Sequence, residues 1–166
     1  MTDLSYSDQH IRGILETAKT IAAVGVSQNP VRPSYFVANY MRLRGYRVIS
    51  VNPKFAGEVF LGQRAAADLS DIPEDVGPVH MVDIFRRSEA VLPIVEDAIT
   101  HLLPRGLRVI WMQIGVINHD AAALAEAHGL TVIMDRCPKM EYQRLIGELS
   151  RGGVNSGIIS SRLPRL

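Results

Sequence analysis

The side chains best suited to chemistry stand in short clusters, and the first is Gly25, Ser27, Arg32 and Ser34 within TIAAVGVSQNPVRPSY. Ile21 to Val24 read as a buried strand that stops at Gly25 and turns through Ser27, Gln28 and Asn29; a helix opens near Pro33 and Ser34. A strand, a glycine turn and a helix start together present backbone N–H groups to an anion. The first helical turn carries unpaired donors and a partial positive charge. Arg32 adds a fixed cation there, and the cluster suits a phosphorylated ligand. Two requirements of a dinucleotide site are missing. The G-x-G-x-x-G fingerprint needs three glycines, whereas Gly25 is followed by Ser27 and Pro30. The strand over Tyr46 to Val51 ends in Asn52 and Pro53, not in the acid that binds the ribose hydroxyls of NAD.

Further clusters follow the other apolar runs: Asn52, Pro53 and Lys54; Phe85, Arg86, Arg87 and Ser88; Gln113, Ile114 and Gly115; Asp135, Arg136, Cys137 and Lys139. Their arginines and lysines suit a ligand with several phosphates. The same residues also fit plainer duties. Gly25 can serve a tight turn, Ser34 and Ser88 can cap helices, Arg86 and Arg87 can be surface cations, and Gln113 and Gly115 can shape a turn. Cys137 precedes Pro138 at a helix start beside Arg136 and Lys139, which favours thiolate; a free cysteine is equally a small buried hydrophobe. The histidines (His10, His80, His101, His119, His128) show no metal-ligand spacing, and no nucleophile, histidine and carboxylate stand in recognisable order. The pattern advertises binding more clearly than catalysis.

The elements that must position these clusters follow from hydrophobic periodicity. Helices are predicted over Ser5 to Ala18, Ser34 to Arg44, from a Ser88 cap to about His101, over Ala121 to His128, and over Lys139 to Leu149. Strands are predicted over Ile21 to Val24, Tyr46 to Val51, Val79 to Ile84, Arg108 to Met112 and Thr131 to Met134. Between the second and third strands, Lys54 to Arg64 is polar, and DLSDIPED is a short turn burying Leu69 and Ile72. Nearly continuous apolar strands alternating with helices predict an α/β protein. The expected architecture is a Rossmann-type doubly wound parallel five-stranded sheet, order 3-2-1-4-5, with helices on both faces. Ligands of such sheets sit beyond the strand carboxyl ends, where the order reverses.

The 166 residues suit a single domain over 1–150, with a Gly/Ser-rich tail over 151–166 that is flexible or ordered against a partner. A net charge of +1 makes no broad electrostatic case for nucleic acid, and one cysteine excludes an internal disulfide or a multi-cysteine metal site. The N-terminus lacks the apolar run of a signal peptide, and no run approaches the ~20 residues of a membrane span. A soluble cytoplasmic protein is expected.

Five segments, VGVSQNPVRPSYFVANYM, GYRVISVNP, VDIFRRSE, IWMQIGV and MDRCPKMEYQRL, lie in order at successive strand ends. Together they resemble the small bacterial and archaeal CoA-binding proteins, single-domain relatives of the CoA-binding domain in the succinyl-CoA synthetase α-subunit. The likeness spans roughly residues 10 to 147. It implies binding of coenzyme A or acyl-CoA at the switch point, without evident catalysis by the chain itself. By that resemblance Gly25, Ser27, Arg32 and Ser34 would hold the nucleotide phosphates. Asn52, Pro53 and Lys54 would line the adenine and ribose side, where CoA carries its 3′-phosphate. Phe85, Arg86, Arg87 and Ser88 would wall the site, Gln113, Ile114 and Gly115 would face the pantetheine arm, and Cys137 would face the thiol. The synthetase also uses a phosphorylated histidine in a further domain and a β-subunit, and no histidine here matches that motif. Other readings stay open: an NAD(P)-dependent oxidoreductase, a partner-dependent acyl-CoA enzyme, or a thiol-regulated interaction module using Cys137. A homo-oligomer or a protein partner stays open as well.

Overall fold

The computed structural model describes residues 4–147. Helix α1 (Asp8–Thr17) opens at Ser7, whose side chain accepts the His10 N–H at 3.1 Å, and buries Ile11, Ile14 and Leu15. Strand β1 (Thr20–Val24), helix α2 (Pro33–Leu43) and strand β2 (Arg47–Val51) follow. A small antiparallel hairpin, β3 (Val59–Phe60) and β4 (Gln63–Arg64), forms where the sequence predicted only a polar stretch. Then come β5 (Met81–Ile84), α3 (Val91–His101), β6 (Val109–Met112), α4 (His119–Ala127), β7 (Thr131–Ile133) and α5 (Pro138–Leu145). The last helix therefore stops short of the predicted Leu149; that residue and the 151–166 tail lie outside the described residues. No helix among the described residues is long and apolar enough to cross a membrane.

The main sheet is parallel, five-stranded and doubly wound, as expected, with order β2-β1-β5-β6-β7. Side chains alternate between its faces. Ile21, Ala23, Val48, Met81 and Trp111 pack under α1, α2 and α5, while Ala22, Val24, Ile49, Val82 and Ile110 pack under α3 and α4. Both faces are covered, so the strands are buried nearly throughout.

Counting only the five main strands, the order is 2-1-3-4-5, which corrects the predicted 3-2-1-4-5. The cause lies in the segment between β2 and β5. It holds no α-helix, and its Leu69 and Ile72 join the core under α3 and α4, on the face opposite α2. Right-handed crossovers on opposite faces travel in opposite directions across a sheet. The chain that moved one way from β1 to β2 therefore returns past β1 and lays β5 on its far side. The order now reverses between β1 and β5, the place where crevices open in sheets of this kind.

Candidate functional site

At this switch point the two strand exits nearly touch. Gly25 has φ 92° and donates its N–H to the Val51 carbonyl at 2.9 Å. A Cβ placed on it would lie 2.7 Å from the Phe85 carbonyl oxygen and 2.9 Å from Arg86 Nε. Only glycine tolerates both the backbone angle and that approach. The Arg86 side chain thus lies across the Gly25 turn and borders two hollows. The larger, about 770 Å³, opens on the α2/α5 side among Phe36, Phe85, Arg86, Gln113, Cys137 and Lys139. The smaller, about 170 Å³, lies among Val24, Val51, Pro53, Asp68, Arg86 and Asp97.

The loop from Gly25 to α2 spends several polar atoms on itself. The Ser27 N–H donates to Ser34 Oγ at 3.0 Å, the Asn29 N–H to Ser27 Oγ at 3.0 Å, and the Val31 N–H to Asn29 Oδ1 at 3.1 Å. Ser34 therefore braces the loop and does not cap α2, whose N-cap is Arg32 with no side-chain cap bond. Pro33 has no N–H, and the Ser34 N–H finds no partner among the described residues. The Arg32 side chain is exposed, flanked by Val31 and Pro33 on the wall of the larger hollow. Asn52 is also a tie: its Nδ2 donates to the Val26 carbonyl at 3.2 Å and its Oδ1 accepts the Lys54 N–H at 3.1 Å. Lys54 is exposed, with Nζ 5.5 Å over the Phe55 ring.

The exits of β5, β6 and β7 are laced together. Ser88 lies in a 3-10 turn ahead of α3, and its predicted role as that helix's cap is corrected: its Oγ accepts the Ile117 N–H at 2.9 Å and donates to the Gly115 carbonyl at 3.3 Å. A crossover partner explains the difference, because the loop after β6 reaches the hydroxyl before α3 can use it. The Gly115 N–H in turn donates to Asp135 Oδ1 at 2.7 Å. Ile114 is left exposed at the mouth of the hollow, and Arg87 is exposed beside Glu89 at 3.5 Å. Helix α5 is held on α1 by Arg144, which bridges Asp8 at 2.8 Å and Glu141 at 2.6 Å. That anchoring places Cys137 and Lys139.

One residue behind the Gln113 wall, Asp83, escaped the sequence reading. Asp83 is 2% exposed in mid-β5, and both its oxygens accept Gln113 Nε2, at 3.1 and 3.2 Å. Burial pushes its carboxyl up to about 7, against the pull of the Gln113 bond. Lys139 is 2% exposed, with Nζ 5.5 Å over the Tyr40 ring, and burial lowers its pKa. Asp83 carried a signal, since it is a charged residue inside the apolar MVDI run. Cys137 is buried too, and burial pushes its thiol up to about 11, which fits the reading of a small buried hydrophobe and not that of a thiolate. The helix start and its two backbone N–H groups lower the value less than desolvation raises it. Of the predicted residues, the fold brings Phe85, Arg86, Arg87, Gln113, Ile114, Gly115 and Cys137 around one hollow. Pro53 reaches the smaller one, while Ser88 and Asn52 work as braces.

Fold and crevice together define a doubly wound domain with two hollows at the β1/β5 switch point. The family follows from sequence: the chain belongs to the CoA binding domain family, whose model matches residues 19–143. The Bacillus subtilis protein YneT is 37% identical over 136 residues, covering 82% of this chain and 94% of that protein. Among solved structures, a Thermus thermophilus protein (cell-free ID.343) is 35% identical with a TM-score of 0.77, covering 85% of this chain and 100% of that one. A Pyrococcus horikoshii protein is 34% identical with a TM-score of 0.77, covering 89% and 100%. A dinucleotide-forming acetyl-coenzyme A synthetase of Ca. Korarchaeum cryptofilum shares the fold alone, at 21% identity and a TM-score of 0.53 over 69% of this chain and 25% of that one.

Proposed function

We propose that the chain binds coenzyme A or acyl-CoA across the β1/β5 switch point. The observation that carries this reading is the pair of hollows that meet at Arg86. CoA is itself bipartite, a nucleotide joined through a diphosphate to a long pantetheine arm. The smaller hollow suits the adenosine end, with Asp68 and Asp97 as acceptors for its hydroxyl and amino groups and exposed Lys54 beside Pro53 for the 3′-phosphate. The diphosphate would cross the Gly25 turn under the Arg86 guanidinium, with Arg32 and the Ser34 N–H near α2. The arm would enter the larger, mostly apolar hollow toward Gln113, Cys137 and Lys139. Binding is the proposed activity.

Calorimetric titration with CoA, acetyl-CoA, NAD and NADP tests the reading. An Arg86→Ala chain should bind CoA about 10- to 100-fold more weakly, the loss of a charge-assisted bond worth about 1.5–3 kcal/mol. Unchanged affinity in that variant, or preference for a nicotinamide dinucleotide, would sink it.

A further inference from the structure

Gln113 on the wall of the larger hollow and Asp83 buried behind it form a polar pair that neither core packing nor phosphate binding requires. Asp83 sits between Val82 and Ile84, in register with Ala23 of β1 and Trp111 of β6. Its hydrogen-bond partner, Gln113, is 8% exposed and lines the hollow. Gln113 Nε2 is spent on Asp83, and Gln113 Oε1 has no partner among the described residues. An unpartnered amide oxygen at the wall of a ligand-sized space is an acceptor waiting for a donor.

Which atom Gln113 shows is dictated by Asp83. An ionised carboxylate only accepts, so it holds the amide with the NH2 inward and Oε1 toward the hollow. A protonated carboxyl has an O–H to donate. Turning the amide over gives that O–H an acceptor and aims the NH2 at the hollow. One proton on Asp83 thus converts the floor from hydrogen-bond acceptor to donor. The charged and titratable groups nearby are few. From the start of α5 come Cys137, whose thiol the Asp83 charge raises less than burial does, and Lys139, which lies over Tyr40 of α2. From the β5 exit comes Arg86. β1 and β6 offer Ala23 and Trp111, which do not titrate, and Trp111 Nε1 donates to the Arg136 carbonyl at 2.9 Å. Burial already brings Asp83 to about 7, so both forms lie within reach of neutral pH.

We propose that Asp83, acting through Gln113, is the positioning residue by which this site tells a ligand ending in a hydrogen-bond donor from one ending in an acceptor, the free thiol of CoA from the carbonyl of a thioester. The inference rests on the CoA reading above. No covalent bond changes. When a thioester binds, one proton passes from solvent to the Asp83 carboxylate, and the Gln113 NH2 donates to the ligand carbonyl. When free CoA binds, Asp83 is ionised, any proton it held returns to solvent, and the S–H donates to Gln113 Oε1.

The test is titration of the full chain with CoA and acetyl-CoA across neutral pH, in two buffers of different ionisation enthalpy. Acetyl-CoA should take up a fractional proton, its affinity falling by up to about tenfold per pH unit above the Asp83 titration. CoA should release a proton, its affinity falling as pH drops through the same range. Asp83→Asn should abolish both proton counts and leave the CoA to acetyl-CoA ratio independent of pH. Gln113→Leu should keep the ionisable carboxyl but give the two ligands the same pH profile, which separates reading from folding. Identical profiles and proton counts for both ligands in the unmodified chain would overturn the proposal while leaving CoA binding intact. Failure of both ligands to bind would overturn the CoA reading and the proposal with it.

Discussion

Replacing Asp83 by asparagine should change how stability depends on pH, in a direction set by burial. In the folded chain the carboxyl is raised from 3.8 to about 7, with desolvation the largest cause. In the unfolded chain it titrates near its ordinary value. Between those two values the native state holds a proton that the unfolded state has released. Stability therefore falls as pH rises through the window and levels off above about 7. A shift of about three units at about 1.36 kcal/mol each sets the contribution at no more than about 4 kcal/mol. The asparagine of the variant keeps an oxygen for Gln113 Nε2 and has nothing to titrate. The assay is urea denaturation of both chains from about pH 4.5 to about pH 8, followed by the fluorescence of Trp111, the single tryptophan, which is fully buried. His80 contributes with the opposite sign. Burial, with Arg108 and Lys19 nearby, lowers its pKa, and its Nδ1 accepts the N–H groups of Lys19 and Thr20 at 3.1 Å, so acid costs stability there. That contribution is common to both chains and cancels in their difference. The variant should gain on the unmodified chain steadily as pH rises. Parallel curves would refute the reasoning, because they would mean Asp83 is ionised in the fold at no cost.

Two other substitutable features make sharp predictions. Gly25→Ala forces a side chain onto φ 92° and into the Phe85 carbonyl and Arg86, so it should lower stability by about 1–3 kcal/mol from backbone strain alone and displace Arg86 from the switch point. An unchanged urea midpoint would show that the β1 and β5 exits can part. Cys137, with its thiol pushed up to about 11 from 9.0, should hold about a hundredfold less thiolate at neutral pH than an ordinary cysteine, and iodoacetamide should label it correspondingly slowly. Mass spectrometry reads the label without ambiguity because the chain has one cysteine; labelling at the rate of a free thiol would mean that the floor opens to solvent.

Most of the fold was legible because local pattern decides it. Ile21 to Val24 are apolar without interruption and end at a glycine, so β1 was plain; Ile11, Ile14 and Leu15 share one helical face, so α1 was plain. Strand order was not legible, because it depends on which face the chain crosses between β2 and β5. Leu69 and Ile72 decide that, and in sequence they look like the apolar residues of any turn. The site divides in the same way. Position at a strand end was readable for Arg86, Gln113 and Cys137. What each polar atom does was not, since Ser34, Asn52 and Ser88 spend theirs on backbone brought near by the tertiary fold. Asp83 was the opposite case: an acid inside MVDI is conspicuous by type, yet only the neighbouring strand supplies Gln113 and gives it a partner.

The electrostatics of the crevice separate its two ends. At the switch point stand guanidiniums, Arg86 half-buried and Arg32 and Arg87 exposed. At the floor every resolved shift runs toward the neutral form: Asp83 up, Cys137 up, Lys139 down, each led by desolvation. A cationic mouth and a floor driven toward neutrality suit a ligand that is polyanionic at one end and nearly uncharged at the other. The two ends should then answer to different variables. Salt screens the exposed arginines and should weaken the binding of a phosphate end there, but it hardly reaches a carboxyl that is 2% exposed. Protons act at the floor, on Asp83. A ligand that lacks the diphosphate should lose the salt dependence, and one that lacks the thiol or thioester should lose the pH dependence, so each end of the molecule can be located in the crevice by the variable to which it responds.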